Sequence, residues 1–148
     1  MNNYKNILSL NHLKVGYKHN LKFKIDLEMM LNFEKISGDS NPLHTDKSFA
    51  ISRGYKDRVV YGGLLIAKIS QMLGMHLPGK NSIWTNLNLS FLKPLYINEE
   101  AELIAEIKYI SEATSSIEIL LKIFSLRHDV LKVRGKANTI LINSKYKK

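Results

Sequence analysis

The stretch LLIAKISQMLGMHLPGKNSIWTNLNLSFL, residues 64–92, changes its hydrophobic period partway along, and that change decides the fold. In its first half Leu64, Leu65, Ile66, Ala67, Ile69, Met72 and Leu73 leave only Lys68, Ser70 and Gln71 polar. A helix apolar on nearly all sides is one that the rest of the chain must bury. Pro78 and Gly79 then bar its continuation. From Ser82 the period drops to two. Ile83, Thr85, Leu87, Leu89 and Phe91 share one face, and Ser82, Asn86, Asn88 and Ser90 share the other beside Trp84, which predicts a strand.

Working outward, three more extended runs follow: AELIAEIKYI (101–110), IEILLKIFSL (117–126) and VLKVRGKANTILI (130–142). The polar breaks NEE, SEATSS and RHD separate them, a spacing that predicts an antiparallel meander. Toward the N-terminus, VGYKHNLKFKI (15–25) alternates Leu21, Phe23 and Ile25 with lysines and reads as another strand. LEMMLNFEKIS (27–37) then carries Leu27, Met30, Leu31 and Ile36 at helical spacing, with Asp26 as N-cap and Gly38 as stop. TDKSFAISRGYKDRVVYGG (45–63) mixes short helical and irregular signals and reads as an overlay on the fold. The plan is α+β, a single domain over residues 1–148 in which an antiparallel sheet wraps a long central helix.

The bulk properties narrow the function classes. At 148 residues, 45% hydrophobic and 24% charged, the chain has the size and composition of one globular domain. It has no cysteine, which excludes a disulfide framework and a thiolate metal site. No signal peptide or bilayer-length apolar segment is seen, so a cytoplasmic location is expected. The formal charge of +9 suits an anionic partner. Yet only Arg53, Arg58, Arg127 and Arg134 are arginine, and no dense basic run is interleaved with aromatics, so neither nucleic acid nor membrane is expected. His12, His19, His76 and His128 lack metal-ligand spacing and read as surface residues; no metal and no cofactor is expected. Trp84 and the Met72/Met75 pair read as core or pocket lining.

The segment SGDSNPLH (37–44) gathers an acid, an amide, a proline and a histidine in one loop. With FEKISGDSNPLHTDKSFA (33–50), VVYGGLLIAKISQMLG (59–74) and LSFLKPLYINEE (89–100), the chain from Val15 to Ile142 resembles the MaoC-like, or (R)-specific enoyl-CoA hydratase, branch of the hotdog fold. The GDxNPxHxD core is specific because unlike residue types must fall at fixed offsets. The chain departs from the family's usual pattern at Tyr61, where histidine is usual, and at the turn INEE, where glycine-aspartate is common.

The chemistry of the residues agrees with the resemblance. Adding water across a double bond conjugated to a thioester needs a group to take a proton from water, a group to place one on carbon and a donor for the enolate oxygen. Asp39 and His44, brought together by a loop bent at Pro42, can serve the first two needs. Glycines at the start of the buried helix leave backbone N–H groups unpaired where the helix dipole favours negative charge. The resemblance implies that Gly62 supplies the oxyanion-hole N–H, with Gly63 its nearest competitor, and that Asn41 and Asp46 support the loop. It implies pocket positions for Tyr61 and Ser70, although a core serine bonded to its own helix is an equal reading of Ser70. It further implies an (R)-specific hydratase or dehydratase acting on an acyl-CoA or acyl carrier protein thioester, working as a homodimer. A hotdog thioesterase, and a non-catalytic module binding thioesters or nucleic acid, remain the competing readings.

Overall fold

A computed structural model of the protein describes residues 13–142. The elements in chain order are β1 (Lys18–Lys24), α1 (Leu27–Ser37), α2 (Pro42–Thr45), α3 (Lys47–Ser52), α4 (Gly62–Met75), β2 (Ser82–Phe91), β3 (Glu100–Ser111), β4 (Ser116–Ser125) and β5 (Val130–Leu141). Helix α1 forms where its local signals place it. Asp26 accepts the Met29 N–H at 2.9 Å, and Gly38 ends the helix at φ 72°, its N–H reaching the Glu34 carbonyl at 2.8 Å. Its buried edge differs from the expected one. Met30 is buried with Met29 and Phe33 packed beside it, while Leu27, Leu31 and Ile36 are exposed, Ile36 to 84%.

The strands form one antiparallel sheet in the order β1-β3-β4-β5-β2. Strands β3, β4 and β5 make the expected meander, but β2 is not its first member. It lies at the far edge, with Leu87 opposite Ala137 of β5, and the place beside β3 goes to β1, with Leu21 opposite Leu103. Hydrophobic alternation specifies that a segment is a strand, not which strand it meets.

One face of the sheet supplies the core. Leu103 opposite Ile123, Ala105 opposite Leu121 and Ile107 opposite Ile119 are all buried. They share one cluster with Leu65, Ile69, Met72 and Leu73 of α4. Each of these leucine, isoleucine and methionine side chains contributes roughly 1.5–3 kcal/mol by leaving water. The sheet thus curls over the helix in the hotdog arrangement. The expectation of a helix buried on all sides holds for one face only: Ala67, Ser70, Gln71 and Met75 are exposed. A single sheet covers one side of a helix, and among the described residues nothing covers these four. Trp84 and Ile83 are likewise exposed on edge strand β2 rather than in the core, and a register slip between Trp84 and Asn86 breaks that strand's alternation.

His19 and His76 are not simple surface residues. Their rings stack 4.6 Å apart at 16°, and burial, then the neighbouring His76, hold His19 below the usual imidazole range. His12 lies outside the described residues. No helix among the described residues is long and apolar enough to cross a bilayer.

Two glycines of α4 make opposite predictions. A Cβ on Gly63 would overlap the Phe33 ring, so α1 and α4 approach closely only because that side chain is missing. Gly63→Ala is expected to cost about 1–3 kcal/mol through overpacking. Gly74, with nothing within 4 Å of its would-be Cβ, should gain about 0.5–1 kcal/mol on change to alanine. Thermal melts of the two variants should therefore move in opposite directions.

Candidate active site

A relay of side-chain caps shapes the loop after α1. Ser37 Oγ donates to the Phe33 carbonyl at 2.7 Å and accepts the Asp39 N–H at 3.1 Å. Asp39 Oδ1 accepts the Asn41 N–H at 3.1 Å, and Asn41 Oδ1 in turn accepts the Leu43 N–H at 2.9 Å as N-cap of α2. Pro42 opens that helix, where its missing N–H costs nothing. Asp46 closes α2 and caps α3 by accepting the Phe49 N–H at 3.0 Å. Asn41 and Asp46 are therefore spent on backbone geometry, and His44 is held in the single turn between them.

From that turn the His44 ring reaches the segment leading into α4. Its Nδ1 lies 2.7 Å from the Val59 carbonyl oxygen. A carbonyl can only accept, so Nδ1 carries a proton, and the tautomer compatible with this contact has its lone pair on Nε2. Tyr61 packs against the ring with centroids 4.1 Å apart, and its hydroxyl donates to the Asp39 carbonyl at 2.7 Å. One side chain, 2% exposed, thus ties the acid's backbone to the imidazole. Burial, then Glu34 and Asp39, push the Tyr61 phenol above its usual range, which keeps it a neutral donor at physiological pH.

Gly62 is the first residue of α4, and its N-cap Tyr61 makes no side-chain capping bond. The first N–H groups of a helix have no intrahelical partner, and the dipole there favours negative charge. A cleft of about 310 Å³ brings this helix start together with His44, among Val59, Leu65, Phe91 and Leu95. That mainly apolar lining with a few convergent polar atoms is the make-up of a small-molecule site. Among the described residues no three histidine, aspartate or glutamate side chains group as a metal site.

The MaoC like domain family model matches residues 10–120. This protein belongs to the MaoC-like domain family. It is 32% identical over 130 residues to the (R)-specific enoyl-CoA hydratase of Aeromonas caviae, covering 88% of this chain and 96% of that one. It is 25% identical over 145 residues to a mitochondrial 3-hydroxyacyl-[acyl-carrier-protein] dehydratase of Arabidopsis thaliana, covering 97% and 86% of the two chains. A solved structure of an (R)-hydratase from A. caviae involved in PHA biosynthesis superposes with a TM-score of 0.83 at 32% identity, over 87% of this chain and 97% of that one.

In this MaoC-like chain the candidate residues do not all sit in one place. His44 and Gly62 line the same cleft. The Asp39 side chain is exposed at the loop, with no hydrogen bond or ion pair to His44 among the described residues, and its link to the ring runs through Tyr61. Tyr61 is packed behind His44, outside the cleft lining. Gly63 faces Phe33, and Ser70 lies on the open side of α4, also outside the lining. Two contacts had no sequence signal. The Val59 carbonyl fixes the histidine tautomer from fifteen residues away, and the Phe91 ring stands 3.3 Å from where a Gly62 Cβ would be. Phe91 was legible as a strand residue, but not as a wall of the site.

Proposed function

We propose that the protein is an (R)-specific enoyl-thioester hydratase, equivalently a 3-hydroxyacyl-thioester dehydratase, for acyl chains carried on coenzyme A or an acyl carrier protein. The observation that carries this reading is the opening of His44, its tautomer fixed by Val59, into the cleft where α4 begins at Gly62. In the hydration direction, His44 takes a proton from a water whose oxygen bonds to C3; Asp39, outside the cleft lining of the protomer, is the second member of the acid–base pair that the resemblance assigns. The electron pair of the double bond moves toward the thioester oxygen, where the Gly62 N–H and the helix dipole receive the charge. The acid–base pair that took the proton returns one to C2 from the same side, so hydroxyl and hydrogen add to the same face and the thioester survives. The (R) assignment and the two carriers follow the names of the relatives.

We take the working unit to be a homodimer. A second copy would cover the face of α4 and the edge of β2 that are open among the described residues; on β2, Ile83 and Phe91 are 55% and 53% exposed. A thioesterase would need water aimed at C1 rather than C3. Incubating the protein with a trans-2-enoyl-CoA separates the two: a 3-hydroxyacyl thioester with no free thiol is expected, and release of free thiol would favour the thioesterase.

Tyr61→Phe keeps the ring against His44 and deletes only the bond to the Asp39 carbonyl. A single neutral hydrogen bond contributes about 0.5–1.5 kcal/mol, so kcat should fall by up to about tenfold with KM nearly unchanged. Steady-state kinetics on one enoyl thioester checks this.

A further inference from the structure

A second cleft, larger than the one holding His44, plays no part in this chemistry. It encloses about 940 Å³ between the β2–β3 connection, the β4–β5 turn and residues 56–57. Its floor is a nearly buried ion pair that satisfies itself: Lys132 Nζ lies 3.1 Å from Glu99 Oε1 and donates to the Pro94 carbonyl at 2.8 Å. Its rim carries Lys56, Lys93 and Arg127, all exposed, whose side chains make no hydrogen bond or ion pair among the described residues. The acidic residues of the cleft leave this charge largely uncompensated. Asp57 is 3.0 Å from Lys47, Glu99 belongs to the floor pair, and Glu100 stands opposite Lys24 in the β1–β3 register. Lys93 and Pro94 also line the His44 cleft, so the two spaces share a wall.

A thioester carrier presents a long, uncharged pantetheine arm that ends in a phosphate. We propose that the cationic cleft holds that phosphate, with the arm crossing the Lys93–Pro94 rim and the thioester lying beside His44. The proposal rests on the hydratase reading and deepens it. It names the phosphopantetheine phosphate, common to coenzyme A and acyl carrier protein, as the group that the free cations recognise. Arg127 can meet such a group with paired N–H donors, and Lys56 and Lys93 act as mobile point charges. Because all three are exposed, the attraction weakens with salt.

The test compares the full-length protein with its Lys56→Ala/Arg127→Ala variant on three enoyl thioesters: coenzyme A, acyl carrier protein, and N-acetylcysteamine, which lacks phosphate. The expected result is a KM about tenfold higher on both phosphate-bearing carriers, the scale of two exposed charge contacts, with kcat held. Kinetics on the N-acetylcysteamine thioester should not change, and added salt should mimic the variant on the two carriers alone. Equal effects on all three substrates, or no effect on any, would overturn the proposal. So would a loss confined to coenzyme A, which would point to its nucleotide phosphates, or one confined to the carrier protein, which would point to that protein's surface. Should none of the thioesters turn over in either protein, the hydratase reading falls, and the cleft is judged by calorimetric titration with coenzyme A. Binding that the variant loses supports the cleft; binding that it retains, or no binding to the parent, overturns it.

Discussion

The His44→Ala protein is expected to fold as the parent does and to hydrate an enoyl thioester about 10²–10⁴-fold more slowly, the span typical of losing a positioned acid or base. The ring is half-buried, and its removal leaves the Val59 carbonyl without its donor and Tyr61 with Phe33 but not His44 against its ring. An unmet carbonyl costs about 1–3 kcal/mol, which a domain of ordinary stability survives. Asp39→Asn is the sharper companion. An asparagine side chain keeps an oxygen for the Asn41 N–H, so the cap relay from Ser37 to Asp46 persists while the negative charge is lost. A comparable fall in kcat/KM is expected. Both variants are read by the decay of enoyl absorbance beside a thermal melt. Activity within about threefold of the parent, with the fold intact, would remove either residue from the chemistry.

The second large effect concerns stability, and it lies at the floor of the cationic cleft. Glu99 accepts from the Ser125 hydroxyl and from the Tyr96 N–H at 3.0 Å, and faces Lys132, which is 7% exposed. Glu99→Ala would strand that ammonium in a nearly dry site. Loss of one partner of a buried pair destabilises by roughly 3 kcal/mol or more. Burial alone would raise the Glu99 pKa, but Ser125, the Tyr96 N–H and Lys132 together outweigh it and hold the carboxyl below its usual range. A carboxyl depressed in the folded state contributes stability that is full above its unfolded value near 4.3 and is lost as pH falls through the folded value. The gap between parent and Glu99→Ala should therefore be widest near neutrality and close in acid. Urea unfolding at neutral pH and again below about pH 4 measures it. A gap that stays constant would mean that the pair contributes nothing through its charge. Adding Lys132→Met to Glu99→Ala should restore part of the loss, because the stranded charge then disappears.

How much of this was legible follows from how local each signal is. Asp26 and Gly38 bound α1 through contacts within a few residues, and both ends were readable. The strands were readable from their period, but the neighbour of β2 was not, because pairing with β5 spans some fifty residues of chain. The helix α4 was legible as apolar, yet its apolar residues do not say what covers them, and Ala67, Ser70 and Met75 stay exposed among the described residues. The GDSNPLH loop announced its acid and its histidine. It could not announce the carbonyl of Val59 or the hydroxyl of Tyr61, which come from the far side of α3 and fix the tautomer of one and the backbone of the other. The Glu99–Lys132 pair was hidden for the same reason, since its partners lie 33 residues apart.

The most direct measurement follows the oxygen of water into the product. With a trans-2-enoyl thioester in oxygen-18-labelled water, the label should appear on the C3 hydroxyl of an intact (R)-3-hydroxyacyl thioester, and the His44→Ala protein should form almost none. Label in the carboxylate of a released free acid, or equal incorporation by the His44→Ala protein, would contradict a site in which His44 and the start of α4 direct water to C3.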